Sequence, residues 1–363
     1  MVTLKKIFIR SAIVIFWLGL IGIFLYLSYL WPVKSTVRSI NVFAWSGMFD
    51  LKHIARFEKQ TKIRVNLSFY ESNEELLVKL RATGGVGYDL IFPSDYAVNI
   101  LKREKLLKKL DKTKMPFYAQ LNPILLGHYF DATNDYSIPY EWSVYGLGFN
   151  KEVFKDSKPE PTWGLLFDPA KMPSKVVMPN DPLLAVPITA FYLYGHFNLI
   201  TKGMLPAIYT TLVKQKPFVE AYADLRANYY LQSKNVAVAV TSSADSARIM
   251  PNYPFIDFLV PKEGSLVTIE SFALPISTDK DELVYEFMKF MYTPHMLVHN
   301  FKTLGFFPPT LEALALVKAP ATIQSLLSMS RDQFARFSFL KLGLLESDLS
   351  EQDFYDLWIA VKS

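Results

Sequence analysis

The chain has 363 residues, 51% of them hydrophobic and none of them cysteine, which excludes both a disulfide framework and a lipid anchor on an N-terminal cysteine. Its formal net charge of +5 arises within residues 1–38, which hold five basic residues and no acidic one. Subtracting these five from the 39 basic residues leaves 34, equal to the 34 acidic ones, so the remainder is neutral and lacks the charge excess of a nucleic-acid-binding protein.

An uncharged apolar run extends from Ser11 to Trp31, directly after the basic residues Lys5, Lys6 and Arg10. As a helix it would span about 30 Å, the thickness of a bilayer core. No small-x-small cleavage site follows the run, which favours an uncleaved signal anchor over a cleaved signal peptide. The sequence therefore predicts an N-terminal membrane anchor, residues 1–38, whose orientation the charge bias leaves open because Lys34 and Arg38 follow the run closely.

From residue 39 the pattern alternates between strand and helix, which predicts a parallel sheet with right-handed crossovers. A capping box at Ser72–Glu75 starts the second helix, and Gly84, Gly85 and Gly87 end it. These glycines lie between a helix and a strand, whereas a dinucleotide-binding loop lies between a strand and a helix. The predicted elements are strand 39–44, helix 49–60, strand 64–69, the capped helix, strand 89–92 and helix 96–103.

The second part of the chain continues with mixed strand and helix patterns. The valine-rich run 235–241 is typical of a buried parallel strand. At the C-terminus, Phe354, Leu357, Trp358 and Val361 have helical spacing and are expected to pack against a core. The other predicted elements are strand 137–150, helix 181–195 with Pro187 inside it, strand 258–261 and helix 281–292.

The sequence offers little support for catalysis. Only two of the five histidines, His295 and His299, are four residues apart, and no acidic residue lies between them, so no zinc helix is predicted. There is no nucleophile elbow, no phosphate-binding loop and no cysteine nucleophile. Glu74 and Glu75 are interpreted as exposed caps at a helix start. We therefore predict a protein that is not an enzyme and that needs no metal or cofactor.

Five segments together resemble the spermidine/putrescine-binding proteins of ABC importers. They are Val-Phe-Ala-Trp-Ser at 42–46, Ser-Phe-Tyr-Glu-Ser-Asn-Glu at 68–74, the segment 88–96, Asp-Tyr-Ser-Ile-Pro-Tyr-Glu-Trp at 135–142, and Pro-Lys-Glu-Gly at 261–264. The resemblance implies a type II periplasmic-binding-protein-like α/β fold with two lobes, a hinge and an interlobe cleft. It implies a polyamine-like cation as ligand and the permease subunits of an ABC importer as partners, and it therefore also implies a domain outside the cytoplasm.

The lobes expected from this resemblance are 39–143 plus 271–313 and 144–270 plus 314–363. Ligands of open α/β sheets bind beyond the carboxyl ends of the strands, where several of the expected site residues lie. Carried over position by position, the family's site falls on Trp45, Ser46, Ser94, Tyr96, Asp181, Thr241, Thr268 and Glu270.

The sequence departs from the family pattern at several of these positions. Family carboxylates are replaced at Gly47 and Leu184, a family aromatic residue by Met48, and two pocket tryptophans by Thr268 and by Thr241 or Ser242. A distal glutamine falls near Leu340. Tyr140, Trp142 or Asp245 could supply substitutes, or the ligand could be a smaller or less charged cation.

Individual site residues also have other interpretations. Trp45 could cap the core, Tyr96 could simply pack at a helix start, and Asp181 could be the N-cap of the helix that begins at Pro182. Glu270 lies in an apolar stretch, where a carboxylate needs a partner. Three alternatives to the polyamine receptor remain: a receptor for another solute, an enzyme with the same fold, and a scaffold protein whose cleft no longer binds.

Overall fold

The computed structural model describes residues 15–23, 38–155, 158–197, 200–224, 226–341 and 349–363. Residue contacts divide the chain into two units, Met1–Arg38 and Ser39–Ser363. In the first unit residues 15–23 are helical, and large apolar side chains such as Trp17 are exposed. The rest of the predicted anchor lies outside the described residues. Within the described ranges, no helix has both the length and the apolar character needed to cross a bilayer.

The second unit begins with a three-stranded parallel sheet, as predicted. The central strand β1 pairs with β2 on one side and with β3 on the other, so the strand order is β2-β1-β3. Each strand is followed by a helix, which gives the crossover connections expected of a parallel sheet. The elements are β1 Ser39–Trp45, α1 Leu51–Thr61, β2 Arg64–Tyr70, α2 Asn73–Thr83, β3 Leu90–Ile91 and α3 Asp95–Arg103.

The start of α2 differs in one detail from the predicted capping box. Ser72 accepts a hydrogen bond from the backbone N–H of Glu75, as expected of an N-cap. The carboxylate of Glu75 accepts instead from the backbone N–H of Glu71, at 3.1 Å, so only half of the box forms. The helix ends at Gly84, whose left-handed conformation (φ 61°) confirms the predicted glycine stop.

The remaining strands form a seven-stranded sheet around the long strand β4. The first half of β4 pairs with β9 and its second half pairs with β7 and β8, in each case antiparallel. The run predicted as a buried parallel strand is β7, which is parallel to β5 but antiparallel to β4. The strands are β4 Ile138–Asn150, β5 Val176–Met178, β6 Val219–Tyr222, β7 Val238–Ser242, β8 Ile256–Leu259, β9 Ser265–Phe272 and β10 Phe337–Ser338.

Eleven further α-helices surround the strands in the described part of the chain. They are α4 Gly164–Phe167, α5 Pro182–Tyr194, α6 Leu205–Gln215, α7 Ala227–Gln232, α8 Ser243–Ile249, α9 Asp281–Met291, α10 Pro294–Leu304, α11 Leu311–Leu316, α12 Ala321–Leu327, α13 Arg331–Phe334 and α14 Glu351–Lys362. The predicted C-terminal helix is confirmed as α14, and its four predicted apolar residues are buried. Isolated β-bridges join Ile91 to Ala273 and Ser94 to Glu270, so β9 reaches the end of β3. Strand β4 pairs with β9, and these two strands position the candidate site described below.

Candidate functional site

A cavity of about 1120 Å³ lies where the ends of β1, β3, β7 and β9 approach one another. Pockets that bind small ligands typically have volumes of about 300–1,000 Å³, so this one can hold an extended small molecule. All eight residues nominated from the sequence line it: Trp45, Ser46, Ser94, Tyr96, Asp181, Thr241, Thr268 and Glu270. The cavity therefore brings these eight residues together, although Trp45 and Glu270 are 225 positions apart in the chain.

Glu270 is the best-supported polar group of this cavity. The indole Nε1–H of Trp45 donates to its Oε2 at 2.8 Å, and the hydroxyl of Ser94 donates to its Oε1 at 2.7 Å. Ser94 in turn accepts a hydrogen bond from the side-chain amide of Asn73, at 2.9 Å. Glu270 therefore has the partners that a carboxylate in an apolar stretch was expected to need. Trp45 at the end of β1 and Ser94 after β3 are these partners.

Glu141 is a second buried carboxylate, which was not nominated from the sequence. It is the direct cross-strand partner of Glu270 in the pairing of β4 with β9, so both side chains point to the same face of the sheet. Its Oε2 atom is buried and has no hydrogen-bond partner among the described residues. A charged residue inside an otherwise apolar strand was the available signal, the same one that identified Glu270.

The ionisation of these carboxyl groups is strongly perturbed. Burial raises the pKa of Glu270 to about 7, against the hydrogen bonds from Ser94 and Trp45, which lower it. Burial, and then the charges of Glu270 and Asp245, raise the pKa of Glu141 well above its ordinary value. Burial also raises the pKa of Asp95 to about 8, to which the charge of Glu270 contributes. A bound cation would favour the charged form of each.

Asp181 combines the two roles considered from the sequence. It is the N-cap of α5, accepting from the backbone N–H of Leu183 at 2.8 Å, and it also lines the cavity. The residue is exposed, yet desolvation by the surrounding protein raises its pKa to about 6, although the hydrogen bond from Leu183 lowers it. One carboxylate oxygen caps the helix, which leaves the other available for a ligand.

Glu74 does not have the exposed capping role assigned to it from the sequence. It is half-buried, lines the cavity and accepts a hydrogen bond from the hydroxyl of Tyr96 at 2.8 Å. The helix-start pattern concealed this, because Glu74 occupies a first-turn position where acidic residues are common for local reasons. Tyr96 is thereby oriented by a neighbouring carboxylate, and burial followed by the charge of Glu74 raises its pKa well above the ordinary value.

The aromatic walls differ from those expected. Tyr140 and Trp142 are fully buried and do not line the cavity, so the suggestion that they re-equip it is wrong. Side chains alternate along a strand, and on β4 it is the set with Glu141, namely Ser143 and Tyr145, that faces the cavity. The other aromatic side chains of the lining are Trp45, Tyr96, Phe306, Tyr355 and Trp358.

Helix α14 is an unforeseen part of the lining. Tyr355, Trp358, Ile359 and Lys362 belong to it and line the cavity, although the sequence predicted only its packing against a core. Burial, together with the charges of Glu74 and others, raises the pKa of Tyr355 to about 12. No local pattern marks a residue as facing a cavity formed by distant segments.

Most positions that depart from the family pattern line the cavity, but Gly47 does not. Thr268 lies 3.3 Å from Ser143 through their hydroxyl oxygens, and Thr241 donates to the side-chain oxygen of Asn228 at 3.1 Å. Asp245, named as a substitute, lines the cavity but also pairs with Arg248 at 2.8 Å. Further lining residues at departing positions are Met48, Leu184, Ser242 and Leu340.

The charge of the lining is one-sided. Among the residues that the structure describes, Lys362 is the single basic residue of the lining, whereas the acidic residues are Glu71, Glu74, Asp95, Glu141, Asp181, Asp224, Asp245 and Glu270. Such a cavity attracts cations and repels anions. Within the described ranges, the one group of three side chains close enough to hold a metal ion is Asp50, His53 and His299, none of which lines the cavity.

Comparison with known proteins agrees with this architecture. The family model described as bacterial extracellular solute-binding protein matches residues 52–326. The chain is 31% identical over 282 residues to a spermidine/putrescine-binding periplasmic protein of Escherichia coli strain K12, covering 77% of this chain and 80% of that protein. It is 28% identical to a putrescine-binding periplasmic protein of Pseudomonas aeruginosa, covering 72% and 75%.

Among solved structures, a spermidine/putrescine ABC transporter substrate-binding protein of Streptococcus pneumoniae matches with a TM-score of 0.74. That match covers 90% of this chain and 98% of the other, at 23% identity, and so supports the fold. The family model spans well over half of the sequence, and the relative from Escherichia coli exceeds 30% identity over most of both chains. The chain therefore belongs to the bacterial extracellular solute-binding protein family.

Proposed function

We infer that this protein is the solute-binding component of an ABC importer and that it captures a linear polyamine, such as putrescine or spermidine, outside the cytoplasm. The observation that carries this proposal is the opposition of Glu141 and Glu270 on adjacent strands, with Asp95 close by. Like charges directly opposite each other destabilise a sheet, and a bound ammonium group removes that repulsion. The names of the relatives point to the same ligand class.

Different parts of the cavity suit different parts of a polyamine. The pair Glu141 and Glu270 would bind one ammonium group, and Asp181 with Glu74 would bind another. Aromatic side chains such as Trp45 and Tyr145 line the space and provide flat apolar surface for methylene groups. Two charged ends and an apolar middle match a diamine or triamine better than a metal–anion complex or an anionic solute.

The two lobes expected from the sequence remain part of this proposal. The three-stranded sheet would form the core of lobe 1 and the seven-stranded sheet that of lobe 2, with β4 and β9 running between them. Glu141 lies on β4 and Glu270 on β9. A ligand that binds both carboxylates would therefore change the position of the two strands that connect the lobes. Closure around the ligand would be a hinge motion driven by its higher affinity for the closed state.

We also propose that residues 11–31 anchor the protein to the cytoplasmic membrane. The support is the uncharged apolar run and the basic residues Lys5, Lys6 and Arg10 before it. Tethering raises the local concentration of a receptor near its permease. A test is alkaline carbonate extraction of membranes: the full-length chain should stay in the pellet, and release into the supernatant would contradict an integral anchor.

The ligand proposal is tested by thermal unfolding of the full-length chain in mild detergent. Putrescine or spermidine at 100 times the dissociation constant should add about 2.7 kcal/mol to the free energy of unfolding. The matched control is 1,4-butanediol, which has the same chain length as putrescine but carries no charge, and it should produce no shift. If no polyamine raises the unfolding temperature at millimolar concentration, the cation hypothesis fails.

A further inference from the structure

A cluster of three side chains that can bind a metal lies outside the cavity lining, where α1 meets α10. It consists of Asp50, His53 and His299. Asp50 is the N-cap of α1, His53 lies in its first turn, and His299 lies on α10. Each residue offers one ligand atom, and these three atoms lie within 4.8 Å of one another. They combine two imidazoles with one carboxylate, a donor set that suits zinc and related divalent transition metals.

The cluster is already close to the geometry of a bound ion. The Nε2 atom of His299 lies 3.1 Å from Oδ2 of Asp50. In a tetrahedral zinc site with ligand bonds of about 2.0–2.1 Å, neighbouring ligand atoms are roughly 3.3 Å apart. The pair Asp50 and His299 meets this separation as it stands. No separation in the cluster exceeds this value by more than about 1.5 Å, a difference that a change in side-chain torsion can remove.

His53 provides an independent indication of a missing partner. Its Nδ1 atom is buried, and no described residue forms a hydrogen bond with it. Its ring lies 4.0 Å from that of His299, centroid to centroid, in an edge-to-face arrangement. Buried polar atoms in folded proteins nearly always have a partner, so the orphaned nitrogen requires an explanation that a metal ion or a water molecule would provide.

The surroundings allow an ion to enter. The side chains of His299 and Asp50 are 30% and 24% exposed, so one coordination position can face solvent. His295 lies one turn before His299 on α10 and is exposed. The sequence pattern around His295 and His299 predicts no metal site, because no acidic residue lies between them. The contact between α1 and α10 brings the carboxylate of Asp50 and the imidazole of His53 to His299.

We propose that Asp50, His53 and His299 bind one divalent transition-metal ion, with Zn²⁺ as the probe ion, and that the ion fastens α1 to α10. The site is separate from the polyamine cavity and does not depend on the proposed function. Two segments connect the cluster to the cavity. The segment between Trp45 and Asp50 leads from the cavity to the cluster, and α10 ends at Leu304, which lines the cavity. A bound ion would restrict both of these segments.

The test is a titration of the full-length chain in mild detergent, after removal of metal with a chelator. Co²⁺ binding is followed by its visible absorption, and Zn²⁺ affinity is measured by competition with a chromophoric chelator. We expect one equivalent of Zn²⁺ per chain, and a loss of affinity of at least tenfold in each of His53→Gln, His299→Gln and Asp50→Asn. The matched control is His196→Gln, a half-buried histidine outside the cluster, which should bind as the wild type does.

Three results would overturn the proposal. They are no stoichiometric binding by the wild type, unchanged affinity in both His53→Gln and His299→Gln, or an equal loss in His196→Gln. Loss of folding is distinguished from loss of ligands by thermal unfolding in metal-free buffer, where the variants should unfold within a few degrees of the wild type. In addition, Zn²⁺ should raise the unfolding temperature of the wild type and leave that of His299→Gln unchanged.

Discussion

The affinity for polyamines should rise steeply between pH 5.5 and pH 8, because Glu270 must be ionised to bind an ammonium group. Its pKa is raised to about 7 by burial. A carboxyl group with that pKa is roughly 3% ionised at pH 5.5 and about 90% ionised at pH 8. If only the ionised form binds, the apparent affinity scales with this fraction and increases roughly 30-fold. Alkylammonium groups remain protonated below about pH 9, so the ligand's own charge changes little.

The assay is isothermal titration of putrescine into the full-length chain across this pH range, in buffers with different ionisation enthalpies. Binding should release a proton near pH 6, because the cation lowers the pKa of Glu270. The control is Glu270→Gln, which should bind more weakly and keep only a smaller pH dependence, from the other cavity carboxyl groups with raised pKa values, Asp95, Glu141 and Asp181. An affinity that varies less than threefold in the wild type would refute the reasoning, as would a full dependence in Glu270→Gln.

The same linkage determines how the stability of the ligand-free protein depends on pH. The pKa of Glu270 rises from 4.5 in the unfolded chain to about 7 in the folded state, so the folded state retains its proton to higher pH. The contribution of Glu270 to stability is therefore full below pH 4.5 and is lost progressively as the pH rises to 7, by roughly 3 kcal/mol at most. Stabilisation by putrescine should be larger at pH 8 than at pH 5.5, which thermal unfolding can measure.

Four substitutions extend the test. Trp45→Ala should weaken putrescine binding at least tenfold, about 1.4 kcal/mol, by removing a hydrogen bond to Glu270 and an apolar wall, and calorimetry that finds wild-type affinity would place the site elsewhere. Glu141→Gln should raise the free energy of unfolding of the ligand-free protein at pH 8 by about 1–2 kcal/mol in urea, because it removes a buried carboxylate whose Oε2 has no partner, and it should weaken binding. A lower stability would mean that the charge already has a partner. Tyr355→Ala should weaken spermidine binding severalfold if α14 contacts the ligand, whereas unchanged affinity would restrict the site to the sheets. Gly146→Ala should cost about 3 kcal/mol or more in urea unfolding, because the added Cβ meets the carbonyl oxygen of the neighbouring strand β8, and a neutral effect would contradict this packing.

Local chemistry made much of the architecture predictable. The alternation of strand and helix, the glycine stop at Gly84 and the apolar face of α14 all depend on neighbouring residues, and the structure confirms each of them. The resemblance also placed eight residues that prove to surround one cavity. Their role in binding remains a prediction.

What could not be predicted depends on contacts between distant segments. Tyr140 and Trp142, suggested as substitutes in the pocket, lie on the opposite face of β4 from Glu141, which lines the cavity. Glu74 was assigned a local role, because its long-range contact with Tyr96 leaves no trace in the sequence. The contribution of α14 to the cavity has the same origin.

The hydrogen bond from Trp45 to Glu270 offers an optical report on the state of the cavity. An excited indole is sensitive to a charge beside its ring nitrogen, and the carboxylate lies 2.8 Å from that atom. The protonation of Glu270, or its neutralisation by a cation, should therefore shift the emission wavelength of Trp45. The chain has six tryptophans, so replacing the other five with phenylalanine would isolate this signal. Polyamine capture could then be followed by fluorescence without an attached dye.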